Sequence, residues 1–292
     1  MTRFHEGERA VQRRAGVEHV AAKVGRNIVS WLPPEFADFL MSQPLIVAAG
    51  QDPRGRVWAS LIGQGAGSAR ALDDRHLLLA GGLEPDDPLA AAFEQPGTAI
   101  GILAIEPHSR ARIRINGLAH HTADGLLVTV QEAFGNCPKY IHRRIPADRH
   151  PPARRPRTLA RTRLHSRQIA TVVASDTFFI ASAHPQRGAD ASHRAGPPGF
   201  VEASPEGRRL RFPDYPGNRM FQTLGNLAVD PRVGLLFVDW ESGTALQVSG
   251  RAQLLWDGTE VGAFPGAERV VDVEVDVVRE CPRALPYRWR LL

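Results

Sequence analysis

Cysteine and lysine are almost missing from this chain: Cys137 and Cys281 are its only cysteines, Lys23 and Lys139 its only lysines, in 292 residues. Two cysteines are too few for a disulfide framework, and with no clustered partners they argue against a zinc site. No apolar run reaches the roughly 18 residues of a membrane span. The opening stretch MTRFHEGERAVQRRAG has no apolar secretory region, so the expectation is a soluble, cytoplasmic protein. Aromatic residues make up only 7% of the chain. None interrupts the basic stretch Arg143–Arg167, RRIPADRHPPARRPRTLARTRLHSR, so base stacking on nucleic acid is not expected there. That stretch reads instead as a semi-rigid, proline-rich linker over residues 143–168. The net charge of +5 is modest, and 292 residues suffice for two domains with separate cores.

What is present is one pattern written twice. PLIVAAG (44–50) lies over TFFIASA (177–183), HLLLAGG (76–82) over RLRFPDY (209–215), and TAIGILAIE (98–106) over RVGLLFVDW (232–240). RARIRINGLA (110–119) falls on GTALQVSGRA (243–252), GLLVTVQEA (125–133) on RVVDVEVDV (269–277), and Cys137-Pro138-Lys139 on Cys281-Pro282-Arg283. Such an internal duplication, with about six strands per copy and one helix between the third and fourth, predicts a mainly β fold: two small closed or split β-barrels with flanking helices. The divisions are 1–42, helical; 43–142, repeat one; 143–168, the linker; and 169–292, repeat two. Apolar spacing over residues 5–30 predicts an amphipathic helix, and a shorter one runs from Glu35 to Met41; both are expected to cover an open barrel face.

The most informative stretch is RRLRFPDYPGNRMFQTLGNLAVDPRVGLLFVD (208–239). Its pattern is strand, turn, helix, strand, with Asn218 expected as helix N-cap. Backbone N–H groups there, the Asn218 amide and the Arg219 charge suit a phosphate. An ordinary cap beside a solvated arginine is the competing reading. In repeat one the corresponding helix starts near Asp86-Asp87-Pro88, where the carboxylates would repel an anion. Three other segments are candidates: EAFGNCPKYI (132–141), whose Lys139 and Tyr140 could reach a bound anion or ring; the long polar hairpin QRGADASHRAGPPG (186–199); and the glycine-rich loop GQGAG (63–67), which lacks dinucleotide-loop context.

The motifs FHEGERAVQRRAGV (4–17), FGNCPKYI (134–141), SHRAGPPGFV (192–201), FPDYPGNRMFQTLGNLAVDPRVGLLFVD (212–239) and RALPYRW (283–289) together resemble the pyridoxamine 5′-phosphate oxidase-like, FMN-binding split-barrel family, in its double-repeat branch. The resemblance implies a six-stranded Greek-key split barrel in each repeat, paired within one chain as a pseudo-dimer, with FMN in the cleft between them. It implies phosphate near Asn218 and Arg219, and the flavin ring against Ser192, His193, Arg194, Phe212, Pro213 and Asp214. Thr223 and Asn226 are further candidates, and Asn136, Lys139 and Tyr140 form the opposite wall. ASLIGQGAGSA (59–69) departs from the GPPGF pattern of repeat two, which weakens the case for a second flavin site. A flavin-dependent oxidoreductase acting on a small organic substrate is the expected activity; a non-catalytic flavin (FMN or FAD), deazaflavin or heme binding protein is the alternative. No catalytic acid or base stands out, His193 being the best candidate. The electron donor would be a separate reductase or NAD(P)H, and pairing into a homodimer is expected from symmetry.

Overall fold

The computed structural model describes residues 3–62, 67–150 and 159–292. Residues 63–66 of the glycine-rich loop and 151–158 of the basic stretch lie outside the described residues. The amphipathic N-terminal pattern is two helices, α1 (Glu6–Arg14) and α2 (Glu18–Val24), because Gly16 takes a left-handed turn at φ 69° between them. His5 caps α1, its ring accepting from Gly7 N–H while Glu8 accepts from the His5 backbone N–H. After α3 (Pro34–Ser42) the first sheet begins.

That sheet comprises β1 (Ile46–Gln51), β2 (Val57–Ile62), β3 (Ala69–Ala71), β4 (His76–Leu79), β5 (Thr98–Glu106), β6 (Ala111–Thr122) and β7 (Gly125–Gly135), in the order β2-β1-β5-β6-β7-β4-β3. Then come β8 (Arg144–Arg149), β9 (Ala160–Arg161) and α4 (Ser166–Ala174). The second sheet holds β10 (Thr177–His184), β11 (Gly188–Ala195), β12 (Glu202–Ala203) and β13 (Arg209–Asp214), then, after α5 (Gln222–Val229), β14 (Arg232–Val238), β15 (Ala245–Leu255) and β16 (Arg269–Cys281). Its order, β11-β10-β14-β15-β16-β13-β12, is the first order repeated. All pairings are antiparallel, and each sheet curls into a split barrel in which a very short strand, β3 or β12, adds to the six expected. β17 (Tyr287–Leu291) closes the described chain.

Strand alternation explains how the barrels form and pair. On β1, Ile46 and Ala48 face the first barrel's core, whereas Val47 and Ala49 face the second repeat. Phe178 and Ile180 on β10 likewise face their own core, while Phe179 and Ala181 join the inter-repeat layer. That layer is close-packed through two glycines at equivalent places. A Cβ on Gly101 would lie 2.7 Å from Asp190 Cα, and one on Gly234 would lie 2.6 Å from Trp58 Cα. Both β6 and β15 carry a bulge at the same step, Asn116/Gly117 and Ser249/Gly250.

Four expectations change. Helix α5 starts at Gln222, not beside Asn218, because Arg219 (φ 65°) and Phe221 (φ 62°) are left-handed and interrupt any earlier turn. The corresponding helix of repeat one is a single 3-10 stretch, Ala90–Glu94. Most of the 186–199 hairpin is itself strand β11, with Ala189–His193 buried in an unbroken run so that both faces of the strand are covered. Part of the linker is also structured: β8 pairs with β17, β9 pairs with β16, and Arg144 is buried in an ion pair with Asp176 at 2.6 Å.

Candidate functional site

A cleft of about 870 Å³, its open mouth included, runs between the two repeats. β6 supplies Arg112 and Arg114, two residues apart and therefore on one strand face. β11 supplies His193 and Arg194; Pro213 and Asp214 come from the end of β13. The turn after β13 adds Tyr215, Asn218 and Arg219, and α5 adds Gln222 and Thr223. From repeat one, the segment after β7 contributes Asn136, Cys137, Lys139 and Tyr140. The two turns touch: Asn218 Nδ2 donates to Asn136 Oδ1 at 2.7 Å, and Tyr140 stacks on Tyr215 with ring centroids 5.7 Å apart.

Three guanidiniums dominate the electrostatics. Burial pushes Arg114 down to about 10 and moves Arg112 and Arg194 down as well, though all remain charged at neutral pH. Arg114 is fully engaged, donating to Gln222 Oε1 at 2.9 Å and to Ser192 Oγ, with Asp190 4.0 Å away. Arg112 has only uncharged partners, His193 Nδ1 at 2.8 Å and the Cys137 carbonyl at 2.9 Å. Arg194 faces Asp214 at 3.9 Å. The Nε atoms of Arg112 and Arg194 and Nδ2 of Asn136 are buried without a hydrogen-bond partner. Arg219, in contrast, is neutralised by Glu268 at 2.6 Å.

His193 is held neutral: burial, then the fields of Arg112 and Arg194, pull it well below its ordinary value. Because a guanidinium can only donate, Nδ1 of His193 accepts from Arg112 and its proton sits on Nε2.

Of the residues expected from sequence, His193, Arg194, Pro213, Asp214, Asn218, Arg219, Thr223, Asn136, Lys139 and Tyr140 line this cleft. Three do not. Ser192 is wholly buried behind the wall, bonded to Arg114 and to Thr223 at 2.8 Å. Phe212 belongs to the second barrel's core, because strand alternation turns it inward. Asn226 is buried one turn along α5, bonded to His5, Ser182 and Asp190. Arg112, Arg114, Tyr215 and Gln222 also line the cleft, beyond the residues the sequence motifs indicate. The signal for the arginines is in RARIRIN, where charged residues alternate with isoleucine on a strand otherwise buried on both faces.

Among the described residues, His5, Glu6 and His184 also cluster as metal ligands would. Each ring is already committed. His5 Nδ1 accepts from Gly7 N–H and His184 Nδ1 from Gln186 N–H, which leaves only Nε2–H donors facing Asn226 and Glu6.

Two like-ordered split barrels with a cationic cleft between them define the class: a paired split-barrel protein with an anion-suited inter-repeat site. Residues 166–285 match the family model described as pyridoxamine 5′-phosphate oxidase. No curated protein matches the chain. Solved structures similar to it include a Lactobacillus delbrueckii protein provisionally described as a pyridoxamine 5′-phosphate oxidase (17% identity, 40% of this chain and 93% of that one, TM-score 0.33). General Stress Protein 26 of Bacillus anthracis is another (12%, 42% and 95%, TM-score 0.30). A third is an FAD-binding protein of Mesorhizobium loti (15%, 42% and 98%, TM-score 0.29). Among the described residues, no helix is long and apolar enough to cross a membrane.

Proposed function

We propose that the chain binds a flavin, FMN, in the inter-repeat cleft and uses it as an oxidoreductase toward a small organic substrate. The observation that carries this reading is the convergence of Arg112, Arg114 and Arg194 on one cleft, with buried Nε donors on two of them unpartnered. Such a donor set fits a phosphate, which guanidinium groups bind through paired N–H donors. Arg112 and Arg194 are the primary phosphate holders in this reading, with Asn136 and Asn218 beside them. Arg219 has its charge balanced by Glu268 and is secondary. Tyr140 and Tyr215 offer aromatic faces to a planar ring at the rim.

When bound, the flavin supplies hydride and electron transfer. The chain's own residues bind and orient it. Neutral His193 presents an Nε2–H donor that does not ionise near neutral pH, so it serves as a hydrogen-bond donor rather than a general acid. NAD(P)H or a separate reductase would reduce the flavin.

The test is the absorption spectrum of the purified protein, with identification of the chromophore released by heat. Flavin bands and released FMN support the reading, and oxidation of NADH or NADPH coupled to a second substrate would extend it to turnover. A Soret band, or a released deazaflavin or FAD, would keep the site and replace the cofactor. A colourless protein that does not take up added FMN would remove the proposal.

A further inference from the structure

The motif FHEGERAVQ at the start of the chain takes no direct part in the cleft, yet its His5, Glu8, Val11 and Gln12 side chains are buried. Helix α1 crosses α5 with glycine against glycine: a Cβ on Gly225 would lie 2.5 Å from Glu8 Cα, and one on Gly7 would strike the Gly225 carbonyl. This close approach lets short side chains bond between elements. His5, spending Nδ1 on its own helix cap, donates through Nε2 to Asn226 Oδ1 at 2.9 Å. Asn226, 1% exposed, donates to Asp190 Oδ2 at 2.7 Å. The other oxygen of Asp190 accepts from Asn116 at 2.8 Å and stands 4.0 Å from Arg114 Nη1. Arg114 then holds Ser192 and Gln222 at the cleft wall. A second tie runs from Gln12 Nε2 to the Met220 carbonyl at 2.8 Å, in the middle of the left-handed turn that carries Arg219 and Phe221.

We propose that α1 is a positioning element of the cofactor cleft, with His5 orienting Arg114 through the buried relay Asn226–Asp190. The inference rests on the flavin reading. Each member of the relay comes from a different element (α1, α5, β11 and β6), so the chain of bonds exists only when the N-terminal helix is docked and the two repeats are paired. Asp190 is the joint: its two oxygens face the two repeats, one toward Asn226 and the other toward Asn116 and Arg114. Released from Asn226, its carboxylate loses the contact that fixes its direction, and Arg114 loses a fixed counter-charge.

The test uses the full chain and FMN titration followed by flavin fluorescence. His5→Asn keeps a side-chain oxygen able to cap α1 but too short to reach Asn226. We expect FMN affinity to fall about tenfold, as for loss of one hydrogen bond in a charged network, with the unfolding temperature nearly unchanged. In an Arg114→Gln background the same substitution should have no further effect, because the relay acts through Arg114; a purely structural role would cost the same factor in both. Gln12→Met, which cuts only the tie to Met220, should weaken FMN binding several-fold and serves if His5→Asn unfolds. Wild-type affinity in folded His5→Asn, or in folded Gln12→Met where His5→Asn unfolds, or equal losses from His5→Asn in both backgrounds, overturns the inference. Absence of FMN binding by the unaltered chain overturns the flavin reading instead.

Discussion

The cleft and its counterpart across the pseudo-dimer are built on the same backbone and do opposite things. Strand registers make Ser192 equivalent to Ser60, Arg194 to Ile62, Arg112 to Ala245 and Arg114 to Gln247. In the cleft, Arg114 joins Ser192 to Gln222. In the counterpart, Gln247 donates to Ser60 Oγ at 2.9 Å and to Asp87 Oδ2 at 3.1 Å, while Asp87 accepts from Ser60 at 2.8 Å and from Leu89 N–H at 2.9 Å. Three arginines have become alanine, glutamine and isoleucine, and a buried carboxylate has been added. Burial raises Asp87 to about 6, so near neutral pH this place carries mostly negative charge. A fold repeated in backbone need not repeat a site: here four side chains separate an arginine-lined cleft from a self-satisfied hydrogen-bonded plug.

The comparison breaks most visibly at the arginines. Arg112→Ala with Arg194→Ala should weaken FMN binding at least about 100-fold, since charge-assisted hydrogen bonds contribute roughly 1.5–3 kcal/mol each. Titration should give one FMN per chain before the change, and Gln247→Ala in the counterpart should leave affinity unaltered. Two FMN per chain, or equal losses from both variants, would contradict the asymmetry.

The shared part should behave alike in both repeats. Gly101→Val and Gly234→Val each drive side-chain atoms into the facing backbone, so both should destabilise the chain, on the order of 3 kcal/mol, with similar chemical denaturation midpoints. A large effect in one and none in the other would show that the repeat interface is not symmetric.

A pH-dependent effect concerns Glu8, which only the second repeat's cover possesses. Burial, with Asp190 and Glu132 nearby, raises its carboxyl from 4.5 to about 8, against the opposing pull of Arg187. Its folded value lies above its unfolded one, so its contribution to stability is complete below pH 4.5 and is lost as pH rises through about 8. Stability from this group should therefore fall by up to about 1.4 kcal/mol per pH unit across that window. Glu8→Gln should flatten the unfolding temperature between pH 5 and about 8; an unchanged slope would count against the shift. Least of all, Lys139→Ala should weaken FMN binding only a few-fold, because the ammonium is exposed and solvent screens it.

Much of this was legible in the chain itself. Strand-like alternation and the recurrence of matching segments in the same order identified both barrels, since a period of two places every second residue in a core. The contrast between Asp87 and the turn around Asn218 was also readable as a difference in charge. The sequence pattern puts a helix cap at Asn218 because the left-handed conformations of Arg219 and Phe221 leave no composition signal; neither residue type favours them. Phe212 and Asn226 are neighbours of cleft residues in the chain, but alternation and helix phase turn them inward.

By itself the sequence determined that the chain is strand-rich and that about six strands recur in each of two successive segments; these follow from local periodicity. Only the tertiary structure decided which positive charges meet. Arg112 and Arg194 are 82 residues apart in the chain, and Asp190 reaches Asn226 and Asn116 from two different repeats. Long-range strand pairing and the glycine-tight interface bring them together, and no local pattern encodes that proximity.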